Sequence, residues 1–197
     1  MQIDLFDAEV RLFGVNFSSV FDELLQICRF YCDSKYKLPY IHQKQRLDLR
    51  YTDFFTQEIM VIPDIDRECY FDCFQFVWFI LKKLCEGGVI YSSVIKQYTP
   101  TIQTMKKLDK SLELGFLSRL NDLNQLLNSQ CGVIFFGDTL ELSKTRGMRH
   151  LGFYFVFEDT ISMISNRLSQ NGVVEDSFSK TEFMHTFATK YTLVTLA

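Results

Sequence analysis

The sequence predicts an α+β fold, with a helical N-terminal half whose central buried helix packs on an antiparallel β-meander. Three observations carry this. Apolar residues recur at helical spacing in two early segments, Val20 to Tyr31 and Cys73 to Cys85, and the period changes to two after Gly132. No Pro/Gly/Ser-rich stretch divides the 197 residues. A chain of that length can bury one core, so a single domain over 1–197 is expected, helical to about 130 and β from about 131.

The first helix is read behind Ser18-Ser19, which are good N-caps, with Val20, Phe21, Leu24, Leu25, Ile27, Cys28, Phe30 and Tyr31 on its apolar stripe and an end near Asp33-Ser34. Tyr36 to Pro63 has a mixed pattern and reads as irregular, with room for a short helix. Asp72 then caps Cys73 to Cys85, a segment apolar on nearly every side until Lys82, which marks a helix buried by its neighbours. Lys82 and Lys83 suit the helix dipole, and Gly87 suits the C′ position. Ser92 to Asn128 holds two further helical patterns, the second running Phe116, Leu117, Leu120, Leu123, Leu126 and Leu127.

Gly132 to Phe136 reads as a short strand, which Leu140-Glu141-Leu142 can continue. His150 begins the next, with Leu151, Phe153, Phe155 and Phe157 on one face, and Glu158-Asp159-Thr160 turns the chain into Ile161 to Ser165 as a hairpin. Val173-Val174 and Thr192 to Val194 are further strands.

Composition excludes several classes. With 47% hydrophobic residues and 20 Phe the chain is neither disordered nor fibrous. A net charge of −3 with no basic run argues against nucleic acid, since phosphate binding needs clustered Lys and Arg. The N-terminus carries Asp4 and Asp7 where a secretory signal needs a basic segment, and no apolar run approaches the roughly 20 residues that span a bilayer. The expectation is a chain without a membrane span that is cytoplasmic as synthesised.

Six cysteines without a signal peptide read as free thiols. Cys28-x-x-x-Cys32 and Cys69-x-x-x-Cys73 have no histidine clustered with them, so no metal and no cofactor is expected. Cys73 is the thiol placed for chemistry, because the unpaired N–H groups of a first helical turn favour a thiolate. It needs a base, and of His42, His150 and His185 it is His150, at a strand start, that can project from a sheet edge toward a helix N-terminus. Against this stands the plainer reading, that a thiol at a helix start is packing and a histidine at a strand start is a surface residue.

Asp72-Cys73-Phe74-Gln75-Phe76-Val77-Trp78 resembles the D-C-S-G-F-V block of the NlpC-type cell-wall peptidases, a branch of the papain-like cysteine hydrolases. Gly132 to Phe136 is similar to their G-D-L-V-F-F strand, His150-Leu151-Gly152-Phe153-Tyr154 to their H-V-G-I-Y strand, and Met163 to Asn166 with Gly172-Val173 to the next strand of the family. The four blocks occur in the family's order over about half the chain. The resemblance implies a papain-like fold, Cys73 as nucleophile and His150 as base. The third polar position falls at Ser165 or Asn166, and an Asn can orient an imidazole. Asp72 reads as a cap beside the substrate, and Tyr40 corresponds to a tyrosine that lines the family's site. Phe74-Gln75 replace the family's Ser-Gly.

The resemblance thus implies an amide-hydrolysing cysteine peptidase, acting on a peptidoglycan stem peptide or on a host protein as a secreted bacterial effector. A peptidoglycan substrate would require export by a dedicated machine. Two alternatives stand beside it: a catalytically inactive interaction module on the same fold, and a Cys-His acyltransferase or deamidase. In each case the partner is a peptide or protein.

Overall fold

Helix α1 spans Phe21–Phe30 and buries Leu24, Ile27 and Cys28, with Asp22 and Glu23 in its first turn and Arg29 in its last, as the helix dipole favours. The computed structural model describes residues 20–41, 49–62, 71–90, 117–119, 128, 130–137, 150–183, 185 and 192–196. The expected caps Ser18-Ser19 lie outside these, as do Leu140 to Leu142 and the helical pattern from Ser92. The helix ends at Phe30, earlier than its apolar pattern suggests, with Tyr31 as its right-handed C-cap, fully buried in line with Leu24, Ile27 and Cys28.

Part of the stretch read as irregular is a hairpin, β1 (Arg50–Thr52) and β2 (Ile59–Val61), paired antiparallel with Tyr51 opposite Met60. Asp53 makes the turn: its Oδ1 accepts from the N–H groups of Phe55 and Thr56, both at 3.0 Å. Only Tyr51 of the hairpin strands is buried, so no alternation announced them.

Helix α2 runs Cys73–Glu86 and is buried at ten positions. The Asp72 carboxylate caps it, accepting from Phe74 N at 2.9 Å and Gln75 N at 3.0 Å. Phe79 is ringed edge-on by Tyr31, Tyr51 and Phe71 at 5.3, 5.0 and 5.9 Å. Truncating it to Ala should cost about 3–5 kcal/mol. At the far end Gly87 keeps a right-handed conformation (φ −74°), and Gly88 turns left-handed at φ 73°, one residue later than expected. Gly87 instead leaves room for the Phe55 ring, which lies where its Cβ would stand.

The main sheet has six antiparallel strands in the order β3-β8-β4-β5-β6-β7, where β3 is Leu117–Arg119, β4 Cys131–Gly137, β5 His150–Val156, β6 Thr160–Arg167, β7 Gly172–Ser179 and β8 Thr192–Leu196. The expected meander is β4 to β7. It is extended by β8 beside β4 and by β3 beside β8, so the sheet recruits both the C-terminus and a strand from the helical half. Leu117–Arg119, expected to be helical from its spacing, is that strand, because pairing with Val194–Leu196 overrides its local apolar pattern.

Alternation divides the sheet's residues between two faces. Cys131, Val133, Leu151, Phe153, Phe155, Ile164 and Val173 share a core with α1 and α2, and Phe76 meets Phe153 edge-on at 6.1 Å. Ile134, Tyr154, Ile161 and Met163 form a second cluster with Phe183 of α3 (Lys180–Phe183). Among the described residues no helix is long and apolar enough to cross a membrane.

Candidate site at the start of the buried helix

Capping by Asp72 fixes Cys73 at the first turn of α2, and the fold brings this turn against the beginning of β5. The backbone of Leu151, and that of Cys73 and Phe74, lies beside the Cys73 sulfur and acts to lower its pKa. The thiol is nonetheless 5% exposed. Burial, and next the Asp72 carboxylate, push it up to about 12, and these backbone groups only partly oppose them. At neutral pH it is a protonated, water-excluded SH.

Asn166, fully buried on β6, completes the surroundings from the sheet side. Its Nδ2 donates to Phe71 O at 2.9 Å and to Pro39 O at 3.1 Å, tying the residue before Asp72 to the segment Leu38-Pro39-Tyr40. That segment is further pinned where Val173 N donates to Leu38 O at 3.0 Å. Gly172 takes φ 152°, and the Leu38 carbonyl occupies the place of its missing Cβ, so a side chain there would be refused twice. Tyr40 is thereby held near the helix start: its hydroxyl is raised to about 12 by burial first, then by the charges of Cys73 and Asp72.

By strand alternation His150 shares a sheet face with Gly152 and Tyr154, while Leu151, Phe153 and Phe155 face α2. The β5–β6 ladder runs to Phe153 opposite Ile164, Ser165 lies against Gly152 just beyond it, and Arg167 acts on His150. Burial, and then the Arg167 guanidinium, push His150 down to about 4. Arg167 also donates its Nε to Ser165 Oγ at 3.2 Å and pairs with Asp176 at 2.6 Å.

Of the six residues singled out, the structure therefore gathers Asp72, Cys73, Tyr40 and Asn166 on the helix side, and His150 with Ser165 on the other. Strand alternation gives Leu151 the face toward α2 and its neighbour His150 the face of Gly152 and Tyr154. Asn166 is a backbone tether and not an imidazole orienter. A thiol near 12 and an imidazole near 4 make proton transfer from Cys73 to His150 strongly uphill. The described cysteines Cys28, Cys32, Cys73, Cys85 and Cys131 are all free thiols.

Sequence reasoning missed two polar centres. Lys83, taken as a dipole partner, is buried and bridges Asp53 at 2.7 Å and Glu86 at 2.7 Å, its ammonium also lying 5.3 Å from the Tyr51 ring centre. Burial would lower this ammonium, yet the hydrogen bonds to Asp53 and Glu86 hold it above the ordinary lysine value. Glu175 on β7 receives Arg29 in a forked pair at 2.8 and 2.9 Å, and Ser162 Oγ at 2.5 Å. The signal for the second was present: Ser162 is a polar residue set between Ile161 and Met163. No family model, no curated protein and no solved structure matches this chain.

Proposed function

We propose that this chain is a non-catalytic interaction module on a papain-like, NlpC-type arrangement, in which Cys73 is a packing residue of the helix start. The observation that carries this reading is the burial of Cys73, which is 5% exposed and whose SH, raised to about 12, supplies almost no thiolate at neutral pH. The capped helix in front of an antiparallel sheet supports the papain-like arrangement, and Asn166, bonded to Pro39 and Phe71, makes a structural seam beside the helix start.

A cysteine hydrolase acting on a stem peptide or a partner protein remains the second reading. The place of Cys73 in the first turn of a capped helix favours it, because backbone N–H groups there can hold a developing negative charge.

Residue-resolved alkylation separates the two. In the native protein Cys73 should resist iodoacetamide up to about pH 9, well past the unperturbed thiol value near 8.5, and react only after unfolding. Fast native labelling with a midpoint below that value, together with amide cleavage lost in Cys73→Ala, would overturn the module reading.

A further inference from the structure

The segment Leu38-Pro39-Tyr40-Ile41 runs beside the start of α2, and its two ends are held differently. Leu38 is fixed. It is 1% exposed, its N–H donates to Tyr31 O at 3.4 Å, and its carbonyl accepts from Val173 N at 3.0 Å while filling the place of the Gly172 Cβ. Pro39, Tyr40 and Ile41 are only partly buried. Among the described residues their backbone is held by a single rung, in which Ile41 and Phe71 exchange N–H to C=O bonds at 3.1 and 2.9 Å, and by one side chain, Asn166. The Asn166 amide donates to Pro39 O on the segment and to Phe71 O beside the cap, so one buried group joins the two. Phe71 O also accepts from Ile41 N, so the rung and the amide share an acceptor.

We propose that Pro39-Tyr40-Ile41 is a strap, hinged at Leu38 and latched by the Asn166 amide, that closes over the Cys73 end of α2 and opens as a local unit. Segments open locally where few buried apolar contacts and few hydrogen bonds hold them. The strap fits that description, since none of its three residues is fully buried and one amide supplies its bond to the sheet. Tyr40 brings it to the thiol, for its hydroxyl lies close enough to respond to the charges of Cys73 and Asp72. Cys28 and Cys131 stand in contrast. They are 0% and 2% exposed within α1 and β4, elements that only a wider unfolding opens.

The unfolding that admits a reagent to Cys73 is then release of the strap and not of the whole chain. When the strap recloses faster than the reagent reacts, labelling follows the open population. The inference goes beyond the role of the thiol: an open strap hydrates an inert SH in the one reading and admits a peptide in the other. The two Asn166 bonds are broken in the open strap and in the unfolded chain alike. Their loss should therefore raise both populations, each about 5- to 150-fold.

Residue-resolved iodoacetamide labelling of the full chain, in urea below the global transition and at one pH, tests it with Cys28 and Cys131 as internal references. Labelling of Cys73 should rise with urea less steeply than that of either reference, because releasing three residues exposes less surface than unfolding the chain. In Asn166→Ala, Cys73 should label about 5- to 150-fold faster and keep its shallow urea slope. If that variant fails to fold, the slopes in the unaltered chain decide. One rate and one slope common to the three thiols would overturn the inference, because Cys73 would then open only with the whole chain. A folded Asn166→Ala that labels at Cys73 no faster than the unaltered chain would overturn it too. The role of Cys73 is read from the pH midpoint of its labelling, so the strap and the module reading fail on different measurements.

Discussion

The two ends of helix α2 solve the same problem by different means. At the N-terminal end the orphan N–H groups of Phe74 and Gln75 are satisfied by Asp72, two and three residues away. At the other end a buried charge, Lys83, is satisfied by Asp53, thirty residues earlier in the chain, and by Glu86. One end is held by a local cap and leaves its thiol dry and neutral. The other is held by a long-range ion pair that welds the hairpin to the helix. Local chemistry is visible in a sequence, and long-range chemistry is visible only when the fold supplies the partner.

The comparison is broken most severely at Lys83. Lys83→Met leaves the Asp53 carboxylate buried without its cation, and should destabilise by about 3–5 kcal/mol in chemical denaturation. Asp53→Asn should cost less, because Glu86 still holds the ammonium. Combining the two should cost less than their sum, since neither variant charge is then stranded. Simple additivity would show that the pair is not coupled. Asp53 is held below the usual carboxylate range, since Lys83 and the Thr56 and Phe55 N–H groups outweigh the opposing effect of burial. Its contribution is therefore present above the unfolded carboxylate pKa and fades as pH falls through its folded value.

The next largest effect belongs to His150. Its folded value near 4 lies below the ordinary 6.5, so the unfolded chain binds the proton first. The stability it contributes is complete above pH 6.5 and falls by about 3 kcal/mol by pH 4. His150→Gln should flatten that part of the urea-midpoint profile. A histidine paired with a Cys73 thiolate would titrate above 6.5 and reverse the slope, so an NMR titration of its ring protons tests for such an ion pair.

How much of the fold and the site was legible varies residue by residue. The strand from His150 was readable because Leu151, Phe153 and Phe155 alternate strictly. The β1–β2 hairpin carried no such pattern, with Tyr51 alone turned inward. Leu117–Arg119 could not be read as a strand because its partner is β8, almost eighty residues later. Asn166 showed itself as a polar residue in an apolar strand, but its bonds reach 95 and 127 residues back, to Phe71 and Pro39. Local spacing holds no information about such a seam.

The smallest effect is the one that separates the two jobs of Asp72. As a cap, its loss in Asp72→Ala should cost about 1 kcal/mol, read as a shifted denaturation midpoint. As a charge, it is the next cause after burial that raises the Cys73 thiol. Asn caps a helix about as well as Asp, so Asp72→Asn should keep stability within a few tenths of a kcal/mol while removing the charge. In that variant the native alkylation profile of Cys73 should move to lower pH yet stay above about 8.5, because burial is the larger cause and is untouched. A profile that does not move would mean that Asp72 acts on the helix alone. A drop below about 8.5 would mean that its charge, and not burial, keeps this thiol inert.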